Sequence, residues 1–542
     1  MMKVRVLASC AVLAVGALCR AQPSATEEAV RFDEARLLVE RVPSKKLVVA
    51  DNLAWLKDGK IPAYAEGNVV RWLELKGEDM SAYRKEHVLS DPDLGEPLTR
   101  RRGFRLGYML DISRGRVPTM PMLKVYVDVL AACGFNEFQL YTEHVFAYRD
   151  HRTVWKDNDP MTAEEIRELD DYAWSKGVRL VPNQNSFGHL QSWLDFPAYK
   201  PLAETPNGFA IDHPKMSSKR AAALCPTDPK TLDFLGGLYD ELLPCFAHAD
   251  EINVGCDEVW DLFDKNGRSA ARAREVGVPN LYMDHVLNVR KLVRARGKRM
   301  AIWGDMVLRY PELLPRVPKD VDFLLWGYSC EYHGPGDQAE YEGRCQAVSR
   351  LGIPFTVCPS TCTYHYSGSH YDFKRATGNI RQTVEAAGKF GAEGLLLTEW
   401  GTGGHPYPFL MAVPSIAYTG LLCRNRPADD AALAREIDRL CKASIGQSLV
   451  DYGRVREAYR DVPDLAKARR ALDAALAVKE MPGWVRNGLE VLDLKLRVET
   501  ARAEKKPLPS NAADEYARLW RAYNREGGLA YSLGQRGYGP RR

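Results

Sequence analysis

Residues 105–141 have the sequence RLGYMLDISRGRVPTMPMLKVYVDVLAACGFNEFQLY, in which two short apolar runs flank an amphipathic stretch. The runs Arg105–Asp111 and Glu137–Tyr141 have the length of buried strands, and Thr119–Cys133 has the apolar spacing of a helix. Gly134 follows the helical stretch at the place where a left-handed residue commonly ends a helix. The segment therefore predicts a strand, a helix and a second strand that is parallel to the first.

The same alternation continues along the chain to about residue 400, with a capping box, Thr162-x-x-Glu165, at the start of one helix. The further predicted strands are Val178–Asn183, Glu251–Val254, Arg299–Trp303, Asp322–Trp326, Pro354–Cys358 and Gly394–Thr398. The helices predicted between them are Thr162–Lys176, Pro229–Cys245, Leu281–Arg296, Gln338–Leu351 and Ile380–Phe390. Eight such repeats predict an α/β protein with a (β/α)₈ TIM barrel. An open doubly wound sheet is the alternative, but the sequence lacks its phosphate-binding glycine motif after an early strand.

The regions on either side of this barrel, which we place at residues 99–425, differ from it in pattern. Residues 25–98 mix short strand-like pieces with polar stretches and predict a small N-terminal α/β module. Residues 426–542 are rich in Ala, Leu, Arg and Glu at helical spacing and predict a helical C-terminal domain. The C-terminal region contains no pattern that indicates chemistry, so we expect it to cover and support the barrel.

The first 21 residues resemble a secretory signal. A short positive segment with Lys3 and Arg5 precedes the apolar run Val6–Leu18, and Ala21 ends a possible cleavage site. The apolar run is shorter than the roughly 20 residues that a membrane span requires. We therefore expect residues 1–21 to be a signal peptide, the protein to be exported to the periplasm or beyond, and no membrane span.

Composition excludes some functions and leaves others open. The net charge of +4 is too small for a protein that binds nucleic acid electrostatically. The 11 Trp and 25 Tyr residues suit sugar rings, whose apolar faces pack on aromatic planes. Of the 12 cysteines, Cys10 and Cys19 lie in the signal, and we expect the other ten to be mostly buried packing residues with one or two disulfides. Their spacing does not fit a zinc site, and we expect no metal and no cofactor.

In a barrel of this class, the active site lies at the C-terminal ends of the strands. The residues that follow the predicted strands include charged groups and aromatic rings; the candidate site residues are Arg114, Glu143, His189, Asp257, Glu258, Trp303, Trp326, Tyr364, Glu399 and Trp400. Any single Trp could belong to the core. Three Trp residues at corresponding strand ends instead predict an aromatic box that is the size of a sugar.

The adjacent acids Asp257 and Glu258 are the central feature of this set. They could simply cap the following helix, whose dipole favours negative charge. Alternatively, like charges held close raise the pKa of one carboxyl, which then remains protonated as a general acid. Most glycosidases place two carboxylates on opposite sides of the bond, about 5–10 Å apart, and neighbouring residues suit that arrangement poorly.

Several motifs together resemble family 20 of the glycoside hydrolases, the β-N-acetylhexosaminidases. They are Leu110-Asp111-Ile112-Ser113-Arg114, Phe187-Gly188-His189, Asn253-Val254-Gly255-Cys256-Asp257-Glu258 and the three tryptophans, in the family's order across residues 103–425. The resemblance implies that Glu258 protonates the leaving oxygen and that the substrate's own acetamido oxygen attacks the anomeric carbon. It also implies that Asp257 orients the acetamido N–H.

The same resemblance implies roles for the other candidates. Arg114 would bind hydroxyls of the terminal sugar, although an ion pair alone would also explain it. His189 would lie near the acid/base, although it could also be a core histidine. The tryptophans would line the acetamido pocket and its floor, and Tyr364 would donate to the acetamido oxygen.

The sequence departs from the family pattern at two positions. Tyr366 and Thr402 stand where the family usually has acidic residues, and Glu399 or Glu143 could replace the second of these acids. The preference between gluco and galacto substrates therefore stays open.

Two other functions remain possible on the sequence. One is a conventional retaining glycosidase with Glu258 as the acid and Glu399 or Glu143 as the nucleophile, acting on sugars without an acetamide. The other is a glycan-binding barrel without activity. We expect a glycan with a terminal N-acetylhexosamine as the partner, and no nucleic acid.

Overall fold

The computed structural model describes residues 96–211, 217–328, 336–364, 372–455 and 462–538. The predicted signal peptide and nearly all of the predicted N-terminal module lie outside the described residues. The domain boundaries therefore stay predictions. Among the described residues, no helix is both long and apolar enough to cross a membrane.

Eight parallel strands form a single sheet in the order β3-β2-β1-β8-β7-β6-β5-β4. Their bounds are Arg105–Asp111 (β1), Glu137–Tyr141 (β2), Arg179–Val181 (β3), Glu251–Asn253 (β4), Arg299–Trp303 (β5), Val321–Trp326 (β6), Phe355–Cys358 (β7) and Gly394–Glu399 (β8). A parallel bridge between Asn183 and Asn253 joins β3 to β4 and closes the barrel. The predicted (β/α)₈ TIM barrel is confirmed.

Eleven helices accompany the strands of the barrel among the described residues. They are Met120–Ala132 (α1), Arg152–Trp155 (α2), Ala163–Ser175 (α3), Gln191–Leu194 (α4), Pro229–Leu242 (α5), Ala270–Val276 (α6), Val278–Ala295 (α7), Asp305–Leu308 (α8), Gly336–Arg350 (α9), Phe373–Phe390 (α10) and Val413–Cys423 (α11). The Thr162–Glu165 capping box forms as predicted, with both reciprocal hydrogen bonds present. Helix α10 begins earlier than predicted because the Asp372 side chain accepts from the Arg375 N–H and caps it there.

The lumen of the barrel has two layers of different chemistry. At the N-terminal ends of the strands, Arg105 forms ion pairs with Glu251 at 3.0 Å and Asp322 at 2.8 Å, and Arg299 pairs with Glu251 at 3.2 Å. Above this charged layer lies an apolar cluster of Met109, Tyr141, Ala301, Trp303, Leu324, Cys358 and Leu396. Barrel interiors are usually filled by branched aliphatic residues. In this barrel, ion pairs fill the lower layer, and the layer above them contains aromatic rings.

The region after residue 426 is helical in its described parts, as predicted. Its helices are Asp430–Cys441 (α12), Gly446–Gly453 (α13), Leu465–Ala477 (α14), Gly483–Ala503 (α15), Ala512–Arg521 (α16) and Leu529–Arg536 (α17). One apolar core runs from the barrel into α12–α15. Arg536 donates to the Gly404 carbonyl at 2.9 Å, so the last helix holds the loop that follows β8.

The cysteines serve packing. The nine described cysteines outside the predicted signal are buried and form no disulfide: Cys133, Cys225, Cys245, Cys256, Cys345, Cys358, Cys362, Cys423 and Cys441. The prediction that most are small buried apolar residues is confirmed, and the expectation of one or two disulfides is wrong for these nine. All nine lie in the buried core, where a thiol acts as a small apolar side chain.

Candidate active site

The chain after β4 turns sharply and separates the two adjacent acids. Cys256 has φ 69° and Glu258 has φ 48°, in the left-handed region that residues other than glycine seldom adopt. Asp257 between them is buried, whereas 45% of the Glu258 side chain is exposed. The Tyr282 hydroxyl donates to the Cys256 carbonyl at 2.8 Å, and the Glu258 N–H donates to Asp305 Oδ2 at 3.2 Å. The carboxylate of Asp257 is thus buried, and that of Glu258 is accessible to solvent.

His189 joins the two acids. Its Nε2 lies 3.1 Å from Asp257 Oδ2 and 3.4 Å from Glu258 Oε2. His189 itself has φ 58°, and a Cβ added at Gly188 would clash with the Asp257 carbonyl oxygen. The Gly-His pair is therefore required for the close approach of the two loops, and the core-histidine alternative for His189 is not what the structure shows.

The two carboxylate oxygens of Asp257 differ in their surroundings. Asp257 Oδ1 is buried and accepts no hydrogen bond from the residues that the structure describes. A buried carboxylate oxygen is costly to leave unpaired, so this oxygen is positioned to accept a donor from a bound molecule.

The pKa shifts in this cluster differ from those that the sequence predicted. Burial lowers the pKa of His189, but the carboxylates of Asp257 and Glu258 outweigh it, and the pKa ends well above the ordinary histidine value. Partial burial raises the pKa of Glu258, but the hydrogen bond and charge of His189 outweigh it, and the pKa ends below the usual glutamate value. Burial together with the charges of Asp257 and Glu258 raises the pKa of Asp305 to about 7. The expectation of a raised pKa is therefore corrected for Glu258, whose pKa is lowered, whereas the pKa values of His189 and Asp305 are raised.

Arg114 is both ion-paired and directed at the site. Its Nη1 lies 2.7 Å from Asp111 Oδ2 and its Nη2 lies 3.0 Å from Glu143 Oε1. The guanidinium stands over the rings of Tyr141 at 5.0 Å and Trp400 at 5.3 Å, and 23% of the side chain remains exposed. Burial raises the pKa of Glu143, and the charge of Arg114 opposes that rise. Arg114 and Glu143 thus form one rigid polar wall.

The three candidate tryptophans come together in the upper lumen, as predicted. Trp303 and Trp400 have ring centroids 6.0 Å apart, and Trp326 and Trp400 pack on the same apolar cluster. The Trp400 Nε1–H donates to the Tyr328 hydroxyl at 2.9 Å, and Trp326 stacks on Tyr328 at 5.4 Å. The result is an aromatic box beside the two acids.

Tyr364 lies at the edge of this box, with its ring 6.5 Å from that of Tyr328. Tyr328, which follows the end of β6, was not among the candidate site residues. The sequence offered a signal for it, because Tyr328 follows Trp326 by two positions, and such residues share one side of an extended chain. Tyr366 lies outside the described residues, and Thr402 is half-buried after β8.

Glu399 does not belong to the site. Its carboxylate accepts from Arg116 Nη2 at 2.6 Å and from the Tyr108 hydroxyl, and Tyr126 lies at 3.5 Å. Side chains alternate along a strand, so the residue before Trp400 faces the surrounding helices rather than the lumen. The expectation that Glu399 could bind substrate, replace the missing acid or act as a nucleophile is wrong for this reason.

Comparison with known proteins places this arrangement among related barrels. Residues 103–328 match the family described as "Glycosyl hydrolase family 20, catalytic domain". Hexosaminidase D of Homo sapiens is 24% identical over 331 residues, which cover 56% of this chain and 62% of the relative. The Bos taurus protein of the same name is 23% identical over 309 residues, covering 53% of this chain and 82% of that relative. The chain thus matches less than two thirds of the human relative's length.

A solved structure supports the fold. The X-ray structure of a Flavobacterium johnsoniae chitobiase aligns with a TM-score of 0.50 at 16% identity, covering 80% of this chain and 68% of that chain. At this identity the similarity concerns the architecture.

The contacts of His189 predict an unusual titration. Because two carboxylates stabilise its cation, the imidazole should keep both protons well above the ordinary pKa of about 6.5 in NMR titrations. Asp257→Asn removes one of these carboxylates, so the pKa of His189 should fall. The control Asp171→Asn, which removes the acid 3.3 Å from His248, should leave the His189 titration unchanged. A His189 that titrates near 6.5 in the wild type would contradict the described contacts.

Proposed function

We propose that the chain is an exo-acting β-N-acetylhexosaminidase, because residues 103–328 match the catalytic domain of glycosyl hydrolase family 20. It removes a terminal N-acetylhexosamine from a glycan with retention of configuration, and the substrate's own acetamide is the nucleophile. The relatives named hexosaminidase D support this activity.

One observation carries the proposal: Oδ1 of Asp257 is buried and accepts no hydrogen bond from the part of the chain that the structure describes. His189 already holds Oδ2, so the carboxylate is fixed with one acceptor directed at the ligand. An acetamido N–H is a donor of the right kind for that oxygen. Once bound there, the acetamide has its carbonyl oxygen turned toward the anomeric carbon, and such orientation supplies much of the rate enhancement.

The first step breaks the glycosidic bond. Glu258, at the open side of the pocket, gives its proton to the leaving oxygen while the acetamido oxygen attacks the anomeric carbon. The product is an oxazolinium ion, whose positive charge the Asp257 carboxylate stabilises. In the second step Glu258 takes a proton from water, the resulting hydroxide attacks the anomeric carbon, and the acetamide is regenerated.

Glu258 needs a proton for this chemistry, although its pKa in the free protein is low. Bound substrate excludes water from around this carboxyl, and desolvation favours its neutral form. Glu258 therefore takes up a proton when the sugar binds, while His189 keeps its Nε2–H on Asp257 Oδ2.

The polar wall and the aromatic box bind the terminal sugar in this proposal. The Arg114 fork donates to ring hydroxyls, and Glu143 accepts from them. The rings of Trp303, Trp326 and Trp400 cover the acetamide methyl and an apolar face of the sugar. Tyr364 or Tyr328 donates to the acetamido oxygen.

A conventional two-carboxylate mechanism has less support. Glu399 is turned into the strand–helix layer, and Glu143 is held by Arg114 and the Tyr141 hydroxyl. A glycan-binding barrel without activity would have no use for two acids and a histidine held at hydrogen-bond distance, since unpaired buried charge is costly.

The acid role of Glu258 predicts a specific loss. Glu258→Gln keeps the shape of the side chain but removes its proton, so kcat on an alkyl N-acetyl-β-glucosaminide should fall by about 10²–10⁴. The loss should shrink for a 2,4-dinitrophenyl glycoside, whose leaving group departs without protonation. Glu241→Gln, at a glutamate that bonds Arg149 on the outside of the barrel, is the control and should keep wild-type rates. Equal rates for Glu258→Gln and wild type would remove Glu258 from the mechanism.

We also propose that residues 1–21 direct export, on the basis of their signal-like pattern. Full-length chain produced in a bacterial host should accumulate in the periplasm or medium, with a mature N-terminus close to residue 22 by mass spectrometry. Uncleaved chain retained in the cytoplasm would contradict this proposal.

A further inference from the structure

Asp305 approaches the catalytic acids from the neighbouring strand. It is the first residue of α8, directly after the Trp303-Gly304 end of β5. Its Oδ2 accepts the Glu258 N–H at 3.2 Å. This bond ties the backbone of the acid/base to an element outside its own loop.

The hydrogen bond to Asp305 matters because the backbone conformation of Glu258 is strained. A non-glycine residue at φ 48° has a strained backbone, and this conformation persists only where the surroundings enforce it. The Tyr282 hydroxyl holds the turn two residues earlier, at the Cys256 carbonyl. Asp305 holds the Glu258 peptide itself. Without that acceptor the peptide can relax, and its carboxyl then leaves the position that the leaving oxygen requires.

The surroundings of Asp305 also decide its charge. Asp257 and Glu258 on the β4 loop face it with negative charge, and Arg309 in its own segment faces it with positive charge. The Cys256 thiol on the same loop and the Tyr282 hydroxyl on α7 are the other titratable groups close to it. Asp305 Oδ1 is buried and has no hydrogen-bond partner within the described parts of the chain. The neutral acid is therefore the favoured form in acidic solution, consistent with its pKa of about 7.

We propose that Asp305 is a positioning residue for the acid/base: it accepts the Glu258 N–H and thereby holds the Glu258 carboxyl at the leaving oxygen. The inference rests on the proposed function. It assigns to Asp305 no contact with the substrate and no proton transfer.

The test compares two substitutions of Asp305 at pH 5.5. Asp305→Asn keeps an oxygen acceptor and resembles the neutral acid, so its kcat should stay within about threefold of wild type. Asp305→Ala removes the acceptor, and kcat on an alkyl N-acetyl-β-glucosaminide should fall by about 10- to 100-fold, as a displaced catalytic group causes. KM should change little, because the sugar's own contacts remain. Glu312→Gln, at an exposed glutamate in the 3₁₀ helix Pro311–Arg316 that follows α8, is the control and should retain wild-type kcat.

Leaving-group dependence separates positioning from general damage. A 2,4-dinitrophenyl glycoside needs no acid, so Asp305→Ala should lose less than about threefold on it. Equal losses on both substrates, a change in KM alone, or no loss for Asp305→Ala would overturn the inference. If Asp305→Ala does not fold, as judged by circular dichroism, Asp305→Ser is measured in the same way, because its short hydroxyl does not reach the Glu258 N–H. A wild type that is inactive on both substrates would overturn the proposed function, and this inference with it.

Discussion

The contact of one imidazole with two adjacent carboxylates is the interaction on which the site depends. His189 lies within 3.4 Å of both Asp257 and Glu258, and this geometry needs left-handed backbone on both sides of the contact. Gly188 is required because any Cβ there would meet the Asp257 carbonyl. The imidazole fixes one oxygen of Asp257, while the other accepts no hydrogen bond from the described residues. The hydrogen bond and the charge of His189 also lower the pKa of Glu258. The backbone strain, the hydrogen bonds and the pKa shifts at this site therefore all accompany the contact of His189 with the two acids.

The barrel makes that arrangement possible by dividing its lumen into layers. The ion pairs of Arg105 close the lower end, so the apolar floor above them is sealed from solvent on that side. The aromatic rings of this apolar layer line the proposed sugar site, and packing holds their rotamers. The C-terminal helices share the barrel's core and hold the loop after β8, which carries the covering tryptophan, Trp400. A rigid pocket suits a mechanism in which orientation of the substrate's own group replaces a protein nucleophile.

Much of this could be predicted from the sequence, and the failures have physical reasons. Strand and helix periodicity predicted the barrel, and strand-end positions predicted His189, the two acids and the tryptophans, because parallel strands bring their C-terminal ends together. The prediction that Glu399 lies in the site was wrong because a shift of one residue along a strand moves a side chain to the other face. The position of the raised pKa values could not be predicted, because it depends on burial and on contacts between loops that are far apart in sequence. Asp305 and Tyr328 were visible at strand ends, but only the structure shows what their polar atoms contact.

The central claim is that the acetamide of the substrate, oriented by Asp257, is the nucleophile. The most direct measurement is inhibition by a thiazoline analogue of N-acetylglucosamine, which imitates the cyclised intermediate, on wild type and Asp257→Asn, together with mass spectrometry after exposure to a 2-fluoro sugar that traps protein nucleophiles. The account predicts that the thiazoline inhibits the wild type far more tightly than N-acetylglucosamine does, as intermediate mimics do, and that it binds Asp257→Asn much less well. It also predicts that the fluoro sugar leaves no covalent label. A stable adduct on a protein carboxylate, with the thiazoline ineffective, would contradict the account.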